Sequence, residues 1–245
     1  MLVPGVVASQ APAAGGGGLV TPDQIADLEY WIDLTDSTIT ETSGEVSQIN
    51  DLSGNGNHVT PANGAGNRGT LEASQFGARD GLLYDGSSLG PPYSAAAVNI
   101  DGTAGTFFIV FRVPALASDR YPIGFGGFDD EQGASLQIRT GGGLRMNISD
   151  GSTMVQVTAA SAYGINETVI GVGAWDSGNI FVHCNGVEDS DTHSHTDYGV
   201  DDAAWIGAVF ASGSVVGAAG FYSRMLDAGE IDNLIAYLES LYPTS

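Results

Sequence analysis

The stretch VEDSDTHSHTDYG, residues 187–199, places a carboxylate or an imidazole at every second position: Asp189, Asp191, His193, His195 and Asp197. Side chains alternate along an extended chain, so these five would share one face if the stretch were a strand. Two imidazoles among carboxylates suit zinc or another transition metal. The same residues, dominated by Ser, Thr, Asp and Gly, equally describe a solvated loop with no fixed face. A second acidic group, GFDDEQG, sets Asp129 and Asp130 between glycines, a hard-oxygen arrangement of the calcium kind. Calcium or another divalent cation is therefore the candidate cofactor.

Other chemistries find less in the chain. NDLSGNGNHVT, residues 50–60, has no third glycine at phosphate-loop spacing, no following lysine and no helix start. Asn55-Gly56 supplies left-handed turn positions, and Asp51, Ser53 and Asn57 are placed to bond nearby backbone N–H groups. This loop is expected to turn the chain rather than bind. There is no Gly-x-Ser-x-Gly elbow, and Cys184 lies inside an apolar strand, a poor setting for a nucleophile. Sugar binding would use aromatic faces with amide, carboxylate and guanidinium partners. Tyr121, Phe128 and Tyr198 lie beside expected loops and are the candidates, as are Tyr93, Phe125 and Tyr163, with burial at a sheet edge the alternative for each.

These residues sit in a chain of 245, of which 42% are hydrophobic, enough for a core. It carries 29 acidic residues against seven basic ones, all arginine, for a formal net charge of -22. Such a surface repels phosphate backbones and anionic headgroups, so neither nucleic acid nor membrane is an expected partner. One cysteine precludes an internal disulfide. No apolar run reaches membrane-span length.

Residues 1–20 are rich in Gly, Ala and Pro without periodicity, the composition of a flexible arm. Residues 21–245 form the domain. It opens on Thr21-Pro22-Asp23-Gln24, a capping box for a short helical turn. It closes on a helix begun by Asp227 and Glu230, with Ile231, Leu234, Ile235, Leu238 and Leu241 at helical spacing. Between them lie short apolar runs at 28–34, 45–52, 82–85, 106–113, 135–139, 144–148, 168–174, 180–185, 204–207 and 215–222, broken by Gly, Asn and Asp. Such density without helices predicts an all-β, two-sheet antiparallel sandwich, and Asn185-Gly186 predicts a hairpin.

The order of EYWIDLTDSTIT, VSQINDLSGNGNHVT, GLLYDGSS, GTFFIVFRVP, NIFVHCNGV, WIGA and GFYSRMLDAGEIDNLIAYL resembles the concanavalin A-like lectin/glucanase superfamily. The most similar branch is the laminin-G-like jelly rolls of phage particles and bacterial surface proteins. The resemblance covers residues 21 to 242 and implies a jelly roll of roughly a dozen strands. Glucanases of this fold carry Glu-x-Asp-x-x-Glu on one strand; the pattern is absent here, so a non-enzymatic role is expected. The leading expectation is a structural or adhesive component of a phage-type virion, a decoration, spike or tail-associated protein. It would be held on the virion surface by residues 1–20 against other virion proteins, with surface glycans as a further partner. The alternatives are a free or cell-surface carbohydrate-binding module, calcium-assisted, and a degenerate glycoside hydrolase with Glu188 in its acidic cluster.

Overall fold

The computed structural model describes residues 19–62, 69–84, 93–100, 102–116, 120–126, 132–195, 202–208 and 210–244. After a 3-10 turn at Pro22–Gln24, the strands run β1 (Leu28–Asp33), β2 (Ile39–Thr42), β3 (Glu45–Ile49), β4 (Thr70–Phe76), β5 (Arg79–Leu83), β6 (Tyr93–Ile100), β7 (Gly105–Arg112) and β8 (Arg120–Gly126). They continue as β9 (Gly133–Arg139), β10 (Gly143–Ser149), β11 (Met154–Ala159), β12 (Val169–Trp175), β13 (Asn179–Cys184), β14 (Val187–Thr192), β15 (Asp202–Ala208) and β16 (Val215–Tyr222). The helix α1 (Ala228–Leu241) closes the chain. Sixteen strands among the described residues exceed the dozen that the resemblance implies, but the two-sheet antiparallel sandwich with one short turn and one C-terminal helix is as expected.

One sheet has the order β14-β13-β12-β7-β16-β5-β4, with β1 also paired to β16. The other has the order β11-β10-β9-β8-β15-β6, and β2-β3 is a separate hairpin. Strand β7 explains the asymmetry between them. Its run Phe107 to Phe111 is apolar at every position and wholly buried, so both faces of its sheet need cover. Phe107, Ile109 and Phe111 meet the six-stranded sheet in the main core. Phe108 and Val110 belong to a second core with Ile170, Val172, Ala218 and the helix residues Ile231, Leu234, Ile235 and Leu238. Each of the larger apolar side chains contributes roughly 1.5–3 kcal/mol by leaving water. Between the sheets, a Cβ at Gly173 would lie 2.6 Å from Met146 Sδ and 2.7 Å from Leu136 Cδ2, so glycine permits the close approach there.

The ends are fixed by polar groups. Glu230 N–H donates to Asp227 Oδ1 at 2.9 Å and Asp227 N–H to Glu230 Oε2 at 3.0 Å, the expected cap of α1. Arg224 grips both Glu230 oxygens at 2.7 Å. At the other end, the Tyr242 hydroxyl lies 2.9 Å from Asp33 Oδ2 and 3.0 Å from Gly217 O. Arg79 closes on Asp33 Oδ1 at 2.6 Å and lies over the Tyr242 ring at 5.1 Å from its centroid. The helix is thereby tied to β1, β5 and β16 at once.

The loop at 50–60 caps an edge strand. Strand β1 pairs with β16 on one side, and its outer backbone groups are met by loop atoms. Asp51 Oδ1 accepts from Trp31 N–H at 3.0 Å, and Leu52 N–H donates to Trp31 O at 2.7 Å. Asn55 Nδ2 donates to Leu28 O at 2.7 Å and Asn57 Nδ2 to Glu29 O at 2.8 Å. Asp51 also organises the loop itself, accepting from Ser53 N–H at 2.8 Å and Asn57 N–H at 3.0 Å. Its asparagines and aspartate do the work of a neighbouring strand.

Two outcomes are expected from this wiring. Asp51→Ala orphans several N–H groups and lowers unfolding free energy by about 3 kcal/mol, measurable by urea denaturation. Arg224's hydrogen bonds hold the Glu230 carboxylate below the usual glutamate range, and the Asp227 N–H adds to this. A depressed folded value means that its stabilisation is present above the ordinary glutamate pKa, about 4.3, and is lost as pH falls through the folded value. Glu230→Gln should flatten that acid-side part of the stability curve; an unchanged curve would refute the assignment.

Candidate functional site

Strand alternation sorts the six-stranded sheet. Ala134, Leu136, Ile138, Leu144, Met146 and Ile148 face the main core, so the intervening residues of β9 and β10 form the outer face. Register then assembles them into rows. One row crosses six strands: Ser94 opposite Trp205, Trp205 opposite Gly124, Gly124 opposite Ser135, Ser135 opposite Asn147 and Asn147 opposite Gln156. A neighbouring row sets Gln137 opposite Arg145 and Arg145 opposite Thr158.

The chemistry of this face is unlike that of the rest of the chain. Its described strand positions carry amides, hydroxyls, glycines, Trp205, Met154 and the guanidiniums of Arg139 and Arg145, but no carboxylate. Ser135, Gln137, Asn147 and Ser149 are polar yet buried. Gln137 Nε2 donates to the Tyr121 hydroxyl at 2.9 Å, and Arg145 Nε to Thr158 Oγ1 at 3.0 Å. Trp205 lies across β8: a Cβ at Gly124 would fall 2.6 Å from its Cζ2, and its Nε1 donates to Gly126 O at 3.2 Å. Access increases toward β11, where Gln156 is exposed and Met154, Arg145 and Thr158 are half-buried.

Of the expected sugar contacts, Tyr121 does reach this face through Gln137, although it is buried. Tyr93, Phe125 and Tyr163 belong to the core. Phe128, Tyr198, Asp129, Asp130 and Asp197 lie outside the described residues. The face residues Ser135, Asn147 and Gln156 were not singled out in the sequence. The signal available was the stretch 133–159, which holds one acid, Asp150, in a strongly acidic chain.

The alternating acids of VEDSDT do form an extended strand, β14, and Asp189 and Asp191 share a face. That face is set by their partners Val182 and Ile180, which point into the core, so the two carboxylates point inward at an open edge. Inward charges are a device that blunts an edge strand. Asp189 Oδ2 accepts from the backbone N–H of Thr158 on β11 at 3.0 Å, joining the edges of the two sheets. Asp191 Oδ1 accepts from Thr192 N–H at 2.7 Å.

The strand ends at Thr192, and the histidines do not continue it. His193 Nε2 lies 3.1 Å from Asn179 O, His193 Nδ1 accepts from His195 N–H at 3.1 Å, and His195 Nδ1 is 3.9 Å from Asp150 Oδ2. Among the described residues no group of three or more His, Cys, Asp or Glu is placed to hold a metal. Asp189 and Asp191 are thus placed as an edge cap, and His193 and His195 follow in a segment without regular structure. The reason is that the backbone takes up the carboxylates as acceptors. Cys184 is buried, and burial pushes its thiol far up, away from thiolate chemistry. Glu188 accepts from or pairs with His183 Nδ1 at 3.1 Å, a contact within the β13–β14 hairpin.

No protein-family model matches the chain, and no curated protein matches it in sequence. Solved structures do resemble it. The binding domain of botulinum neurotoxin DC, in complex with rat synaptotagmin II, aligns over 86% of this chain and 52% of its own, with TM-score 0.59 and 13% identity. Trypanosoma rangeli sialidase in complex with sialic acid aligns over 94% of this chain and 35% of its own, with TM-score 0.59 and 15% identity. The CBM40 module of Ruminococcus gnavus IT-sialidase, bound to α2,3-sialyllactose, covers 53% of this chain and 80% of its own at TM-score 0.44 and 14% identity. This chain therefore spans about half of the toxin chain and a third of the trypanosomal one. The likeness is one of fold, a lectin-like jelly-roll sandwich.

Asp189→Ala should release the Thr158 amide at the sandwich edge. The expected result is faster hydrogen exchange at Thr158 with a stability loss of about 1 kcal/mol; unaltered protection of that amide would contradict the cap.

Proposed function

We propose that the protein is a non-catalytic carbohydrate-binding module whose ligand lies on the outer face of the six-stranded sheet. The observation that carries this reading is a face free of carboxylates in its described strand positions, within a chain of 29 acidic residues. Sugars present hydroxyls that both donate and accept, and the amides of Asn147 and Gln156 answer both roles. Arg145, held by Thr158, adds a fixed donor fork. Most glycosidases need two carboxylates flanking the bond, about 5 Å apart in the retaining class. The described strand positions of the face carry amides and hydroxyls and no carboxylate, which favours binding over hydrolysis. The fold shared with a sialidase chain whose complex holds sialic acid is in keeping with a sugar ligand. The order of sequence motifs supports the laminin-G-like branch of such sandwiches.

The virion role draws no support from the neighbours named above, and residues 1–18 of the expected anchoring arm lie outside the described residues. The binding reading therefore takes precedence over it.

A glycan array followed by calorimetry on the best oligosaccharide tests the proposal. Binding should persist in EDTA, because the face supplies no carboxylate for calcium. The double variant R145A/Q156A should weaken binding by about 10-fold or more, with circular dichroism checking that the fold is kept. Absence of any bound glycan, or full affinity in that variant, would overturn the assignment.

A further inference from the structure

We infer that Asn147 is the residue that selects the ligand, accepting a hydrogen bond from one unsubstituted hydroxyl of an oligosaccharide; this rests on the binding face proposed above. Asn147 is 6% exposed, and its Oδ1 is buried without a hydrogen-bond partner. Buried polar atoms are almost always paired, and an orphan lowers stability. A hydrophobic residue of similar size would remove that penalty. The asparagine instead keeps an unpaired, desolvated amide oxygen on the outer-face side of β10, in the middle of the polar row.

Its surroundings define what can occupy the place. Directly across the strands stand Ser135 on one side and Gln156 on the other. Ser135 is buried while Gln156 is exposed, so Asn147 sits at the step between the covered and the open part of the face. The same-face neighbours along β10 are Arg145 and Ser149, and both have polar partners of their own, in Thr158 Oγ1 and Gly151 N–H. Neither bonds Asn147 Oδ1, and half-buried Arg145 and Thr158 stand beside it toward β11.

A bare carbonyl acceptor demands a donor. A hydroxyl or amide N–H satisfies it, whereas a carboxylate, a glycosidic oxygen or a methylated hydroxyl meets it with another lone pair. Sites that hydrogen-bond a ligand group discriminate strongly against the analogue that lacks it, because the protein group is then left unpaired in the complex. The row Ser135–Asn147–Gln156 spans two inter-strand spacings, about 10 Å. That exceeds one pyranose ring, so the ligand class is an oligosaccharide lying across β9 to β11. One ring is seated on Asn147 and the next reaches Gln156.

The test uses the full chain and the tightest neutral oligosaccharide from an array, with its constituent monosaccharide and its single deoxy and O-methyl analogues. For wild type, one analogue pair should lose about 100-fold in affinity, and the monosaccharide should bind far more weakly than the parent. Asn147→Leu should lose at least 30-fold for the parent and bind parent and that analogue equally, with a melting temperature equal to or above wild type. Asn147→Asp keeps an acceptor at this position and should retain parent binding within a few-fold. If Asn147→Leu binds the parent at full strength, or every analogue binds wild type equally, the inference is wrong. Should Asn147→Leu fail to fold, the analogue series on wild type and Asn147→Asp decides alone. A wild type that binds no glycan defeats the module reading itself. Binding that is weakened by R145A/Q156A but indifferent to Asn147 defeats only the present inference.

Discussion

The need to cover both faces of the eight-stranded sheet governs the rest of the molecule. Strands β7, β12 and β16 are buried at every position apart from the Arg112 end of β7. One face meets the second sheet, and the other must be roofed by α1 and the segments beside it. A single C-terminal helix can roof only one sheet. The six-stranded sheet is accordingly built with one apolar face, and its outer positions are free to be polar. In β12 the outer residues are Ile170 and Val172, whereas in β10 they are Arg145, Asn147 and Ser149. Where the helix lies therefore decides where a ligand face can lie.

The elements legible in the sequence are those whose burial leaves a mark on composition. The run TFFIVF, the apolar β16 and the Asp227–Glu230 cap are evident because each is specified locally. Asn185-Gly186 is equally plain: the turn needs positive φ at both residues, and they take 45° and 81°. Strand β14 stayed open between strand and loop because VEDSDT has no apolar partner pattern, its acids serving as edge protection. Strand β8, RYPIGFG, was hidden by Pro122 and its glycines, which leave room for Trp205. The candidate face could not be read because Ser135, Asn147 and Gln156 lie on three strands and only register makes them neighbours. The strands themselves were in part anticipated; their coincidence was not.

The acids are distributed with the same logic. An edge strand exposes unpaired N–H and C=O groups that invite pairing with other chains. Here side-chain acceptors occupy several of them, Asp51 at β1 and Asp189 at β11. Other carboxylates neutralise cations at the joints, with Asp33 on Arg79 and Glu230 on Arg224. Carboxylates thus shield backbone edges and secure the helix ends. Neither task arises on the broad outer face of a paired sheet, and there the described positions hold none.

Solubility alone would not produce that exclusion. A solvated sheet face in a chain of charge -22 could carry aspartate or glutamate at little cost. Stability alone would not produce it either, since an orphaned buried amide oxygen is unfavourable and an apolar side chain would relieve it. A face that carries no carboxylate and is not apolar for a partner either, and that keeps amides where both pressures disfavour them, is the feature from which the sugar proposal starts. The fold does not distinguish these cases, because sandwiches of 13% and 15% identity serve a toxin and a sialidase. The distinction lies in the side chains placed along one row of the six-stranded sheet.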